Sequence, residues 1–122
     1  MTNIETFRAY CLNKKGVTES FPFDENTLVF KVLNKMFALT NLSRLPFQVN
    51  LKCDPERAIT LRENYPDHIF PGYHMSKKHW NTVFGDQGLD DSLIAALTDH
   101  SYELVVSKMT KKQQEVLKEI KG

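Results

Sequence analysis

The chain has 122 residues, 41% of them hydrophobic and 25% charged, with a formal net charge of +1. This size and balance specify one globular domain with its own core. They exclude a framework of disulfides on two cysteines and binding of nucleic acid through bulk charge, so any such affinity requires a local patch.

Taken in order, residues 2–14 predict a helix. Thr2 and Glu5 have capping-box spacing, Ile4, Phe7 and Cys11 form the inward stripe, and Gly16 is placed to end it. Residues 17–26 read as a connector whose Phe21 and Phe23 cover an edge of the core. Residues 28–33 and 36–42 alternate as two strands, with Asn34-Lys35 as the turn between them. After the loop at Ser43–Pro46, Phe47, Val49 and Leu51 alternate with Gln48, Asn50 and Lys52 as the cleanest strand pattern in the chain. Asp54 as N-cap and Pro55 at the first helical position open a helix that Pro66 stops. Ala58, Leu61 and Tyr65 share its inner face. Pro71-Gly72 marks a turn, residues 79–84 a strand, and residues 85–88 a loop. Asp90 caps a long helix with Leu93, Ala96, Leu97, Leu104 and Val105 facing inward, and Thr110 with Gln113 starts a last helix running to Ile120. The order αβββαβαα, with short connections, implies a single α+β domain over residues 1–122, an antiparallel sheet with helices mainly on one face.

No stretch approaches the roughly 20 apolar residues of a membrane helix. The N-terminal segment has acidic Glu5 and no apolar run, so no signal peptide is expected. Free thiols suit a reducing compartment, and a cytoplasmic monomer is the expectation.

Chemistry concentrates between Leu51 and Phe84, which holds three of the four histidines (His68, His74, His79) and the single tryptophan, Trp80. The spacing of His74 and His79 is no diagnostic zinc pattern, and the carboxylates are too scattered for an iron ridge. No GxSxG, CxxC or glycine-rich phosphate loop occurs, so neither an enzyme nor a cofactor is expected. Cys53 pairs with His74 or His79 only if the fold juxtaposes them, and Cys11 reads as a small core hydrophobe. Nucleic-acid binding has more support. Tyr73, His74, Lys77, Lys78, His79 and Trp80 combine cations with rings that stack on bases, and Lys108, Lys111 and Lys112 form a second basic cluster. The alternative partner is an anionic small molecule, or a protein, held by the 71–80 surface.

The segments CDPERA-x-x-LRE-x-YP, PGYHM-x-KKHWNTV and SYELV-x-x-x-x-TKKQ, with the earlier FPF, resemble the signature of the MmcQ/YjbR-like family of small bacterial proteins. The resemblance runs over nearly the whole chain, with Ser76 where the family pattern has asparagine. It implies a compact α+β fold like that of the bacterial frataxin homologue (CyaY-like) and a "double wing" DNA-binding role. It implies no catalytic residues.

Overall fold

The computed structural model describes residues 3–85 and 88–120. Helix α1 (Ile4–Leu12) leads into strands β1 (Val17–Ser20), β2 (Thr27–Val32), β3 (Lys35–Asn41) and β4 (Gln48–Lys52). Helix α2 (Pro55–Asn64), strands β5 (Ile69–Pro71) and β6 (Trp80–Phe84), and helices α3 (Asp91–Ser107) and α4 (Lys111–Glu119) complete the chain. The strands form one sheet in the order β1-β2-β3-β4-β6-β5, antiparallel throughout.

The α+β class and the single sheet agree with the sequence. Two strands do not: β1 lies inside the expected connector, and β5 between the helix stop at Pro66 and the expected turn at Pro71-Gly72, where no strand was expected. Both are short edge strands with little alternation of their own. β1 is held by its register with β2, Val17 opposite Val32, and β5 by its register with β6, Ile69 opposite Val83. The β2–β3 turn is also displaced. Leu33 and Asn34, not Asn34 and Lys35, carry the positive φ values of 44° and 69°, which leaves Lys35 in the strand opposite Val32. Lysine thereby avoids the left-handed region, and asparagine, which tolerates it, takes the second turn position.

Alternation breaks in β3 as well. A register shift between Phe30 and Lys31 pairs them with Ala38 and Met36, leaving Phe37 as the extra residue. This bulge turns both Phe37 and Ala38 into the core. In α1 the cap is Asn3, whose side chain accepts from Thr6 N–H at 3.0 Å; Thr2 falls outside the described residues, as do Asp86 and Gln87 of the predicted loop. In α3 Leu97 and Val105 are buried as expected and Leu93 and Leu104 are half-buried, but Ala96 is exposed, and Ile94, Thr98 and Ser101 complete the buried stripe. Hydroxyls are admitted because they bond the backbone: Thr98 to Ile94 O at 2.7 Å, and Ser101 to Phe37 O at 2.5 Å while accepting from Lys52 N–H at 2.9 Å. Ser101 thus ties α3 to β3 and β4.

The main core lies between the helices and one sheet face, with Phe7, Phe30, Phe37, Leu51, Ile69 and Ile94 fully enclosed. The other face carries a smaller apolar cluster of Val29, Leu39 and Trp80, with Met36 and Met75 against it. No helix of the described residues is long and apolar enough to cross a membrane.

Candidate functional site

The 72–79 loop folds back over the face of the sheet that the helices leave open. Gly72 N–H donates to Trp80 O at 2.9 Å and Tyr73 N–H to Thr82 Oγ1 at 3.0 Å, so the loop lies flat on β6. Gly72 is required by close approach: a Cβ there would stand 2.8 Å from Trp80 Cβ. His74 then takes a left-handed φ of 58°, which reverses the chain and sets Met75 beside Trp80. From the helical side, Arg62 of α2 braces the same segment. Its Nε donates to Asn81 Oδ1 at 2.7 Å, and its Nη2 to the carbonyls of Lys77 and Trp80.

The structure divides the sequence-derived candidates. Trp80 is 7% exposed, beneath Met36 and Met75. Tyr73 is exposed, with the Arg44 guanidinium 4.3 Å over its ring and the His74 ring 4.0 Å away. Lys77 and Lys78 are exposed on the loop, and Lys77 Nζ donates to Gly72 O at 3.2 Å. His79 is half-buried, and its carbonyl accepts from Cys53 N–H at 2.8 Å. Lys111 and Lys112 are exposed in the first turn of α4, which has no acidic residue there.

Lys108 has partners the sequence did not announce. With Lys35 of β3 and Lys52 of β4 it borders a shallow depression of about 450 Å³, whose wall includes Met36, Trp80 and Met109. Burial, then the charges of Lys108 and Lys35, lower the pKa of the Lys52 ammonium below its ordinary value of 10.5. Among the described residues, the ion pairs are Arg8–Glu19 at 2.7 Å and Lys14–Asp99; none involves Lys35, Lys52 or Lys108. Lys108 is the C-cap of α3, where a cation is favourable, but the same account does not cover Lys35 or Lys52. The polar positions of the β4 alternation, Gln48, Asn50 and Lys52, do carry the signal for Lys52. Nothing local pairs it with Lys35 and Lys108, because those contacts are long-range.

Cys53 meets His79 through the backbone, yet its thiol is buried and burial raises its pKa. Burial likewise pushes the Cys11 thiol up to about 12. Among the described residues no three His, Cys, Asp or Glu side chains gather closely enough to hold a metal ion.

Known proteins give the same architecture. The YjbR family model matches residues 12–104. The chain belongs to the YjbR family. It is 37% identical over 111 residues to the uncharacterized protein YbdF of Escherichia coli O157:H7, covering 90% of this chain and 89% of that one. It is 34% identical over 108 residues to the uncharacterized protein YjbR of Escherichia coli K12, covering 88% and 91%. The crystal structure of Deinococcus radiodurans protein DR2400, a DUF419-domain protein, superposes with a TM-score of 0.91 at 42% identity, over 97% of this chain and 89% of that one. A Pseudomonas syringae protein of known structure gives 0.72 at 26% identity, over 84% and 98%. The resemblance in residues 53–66 and 71–83 thus reflects membership of the YjbR family, and those motifs build α2, its Arg62 brace and the loop over Trp80.

Proposed function

We propose that this YjbR-family protein is a non-enzymatic nucleic-acid-binding protein of the cytoplasm. In this reading its contact with duplex DNA is the basic end of the sheet. The carrying observation is the convergence of Lys35, Lys52 and Lys108, from three separate elements, on one shallow depression with no carboxylate in ion-pair contact among the described residues. Like charges so arranged repel one another in the free protein, and a phosphate backbone relieves that repulsion. Lys78, Lys111 and Lys112 are exposed as well, and are further candidates for phosphate contact. In a chain of net charge +1 this is a local patch, the form such binding must take here. Because Trp80 is buried, the interaction reads phosphates and groove shape rather than stacked bases.

Fluorescence-polarisation titration of a labelled duplex at low salt tests the reading. The wild type should bind saturably, and the Lys35/Lys52/Lys108→Gln variant should lose roughly tenfold or more in affinity while keeping its melting temperature. Absence of binding by the wild type, or unchanged binding by a folded triple variant, removes the proposal.

A further inference from the structure

A second concavity lies on the open sheet face, sharing Met36 with the lysine depression but lined by none of its three lysines. It is a groove of about 440 Å³, within the range of small-molecule sites. Its floor combines an apolar strip, Met36 and Leu39, with the polar side chains of Gln48 and Asn50 from β4. The Arg44–Tyr73 stack and Met75 border it, as does Phe23, an exposed ring otherwise without a burial role.

The polar groups are poised rather than consumed. Asn50 Oδ1 accepts from Thr82 Oγ1 at 2.6 Å, and Thr82 in turn accepts from Tyr73 N–H; this fixes the Asn50 amide with its N–H donors uncommitted among the described residues. The Gln48 side chain likewise has no hydrogen-bond partner there, although its carbonyl accepts from Thr40. Among the described residues Arg44 is the one lysine or arginine bordering the groove, and its guanidinium is held on Tyr73 with no carboxylate partner there. The bordering carboxylate, Asp24, accepts from the N–H groups of Asn26 and Thr27 and the Thr27 hydroxyl, at 2.8, 2.7 and 3.1 Å; these bonds keep it ionised and anchored to its own turn, and among the described residues it makes no ion pair with Arg44. The left-handed His74 sits in the loop that forms this wall, a place where backbone strain is retained by its surroundings.

From this arrangement we infer that the groove is a binding site for a small organic carboxylate with a flat apolar body. The body lies on Leu39 and Met36 between the rings, and the carboxylate meets the Arg44 fork and the amide donors of the floor. A single guanidinium matches a monoanion; a phosphate dianion would call for more cations than the groove supplies.

Calorimetric titration with 1-naphthoate and its neutral isostere 1-naphthamide tests this. One saturable site is expected for the carboxylate, with the amide weaker by roughly tenfold, the worth of a charge-assisted hydrogen bond. Arg44→Gln should bring naphthoate down to the level of the amide. Asn50→Asp, which keeps an acceptor for Thr82 but adds a negative charge to the floor, should weaken naphthoate by a similar factor and spare the amide. The Lys35/Lys52/Lys108→Gln variant should bind naphthoate as the wild type does, which separates this site from the DNA surface. Equal binding of acid and amide, indifference to both groove variants, loss in the triple lysine variant, or no saturable site would each overturn the inference.

Discussion

His100 shows how one side chain links α3 to the start of α2. Its Nε2 accepts the Asp54 N–H at 3.2 Å, which requires that nitrogen to be unprotonated. Burial first, then the charge of Arg57, lowers its pKa below the ordinary 6.5. A base with a depressed folded-state pKa is protonated first in the unfolded chain, so stability falls as pH drops below about 6.5 and levels off once the folded pKa is passed. Denaturant melts across that window should show the decline, and His100→Gln, which retains an acceptor but does not titrate, should flatten it. An unchanged decline in the variant would move the effect elsewhere. The cysteines make a complementary case. With Cys11 pushed up to about 12 and Cys53 also raised, both by burial, neither should react with a thiol reagent at neutral pH until the protein unfolds. Rapid labelling of one thiol in the native state would contradict this. That Cys11 is a core residue was legible in the sequence, since free cysteine packs as a small hydrophobe. The role of His100 was not: it depends on a contact 46 positions away in sequence.

Elements with strong local signals were read well. The Asp54 cap with Pro55 places α2, and the Thr110–Gln113 capping box is present at α4 with both reciprocal bonds, at 3.1 and 3.0 Å. The alternation of β4 is borne out residue by residue, with Val49 and Leu51 buried between half-buried polar neighbours. What local pattern missed was set by partners. β1 and β5 exist as edges of a sheet already built, and the β3 bulge follows from register with β2. The inner stripe of α3 was read in part: Leu97 and Val105 are buried as expected, while Thr98 and Ser101, polar by composition, were missed because the backbone satisfies them when buried. At this scale the loop over Trp80 makes a specific prediction. In Gly72→Ala the new methyl would face Trp80 Cβ at 2.8 Å and the Trp80 carbonyl at 3.0 Å, atoms that cannot swing aside. A loss of about 1–3 kcal/mol is expected, with a red shift in tryptophan emission as the loop lifts from the sheet. Wild-type stability and emission would show that the loop is not packed as described.

The whole molecule is asymmetric in a way that gives it two working surfaces. Helices cover one face of the sheet and build the main core, leaving the opposite face to a small cluster around Trp80 and a groove bordered by Arg44 and Tyr73. At the end of the sheet where β4 finishes, Lys35, Lys52 and Lys108 meet from distant parts of the chain. The sequence pointed to Lys108 but grouped it with its neighbours in the chain, Lys111 and Lys112, since composition cannot show which cations a fold brings face to face. The central claim is that these lysines neutralise phosphates. The salt dependence of duplex affinity tests it most directly, because each phosphate neutralised contributes about 0.9 to the slope of log affinity against log salt. The account predicts linear, salt-dependent binding by the wild type and a slope flatter by about 3 units in the Lys35/Lys52/Lys108→Gln variant. A slope indifferent to that substitution, or no salt-dependent affinity at all, would contradict it.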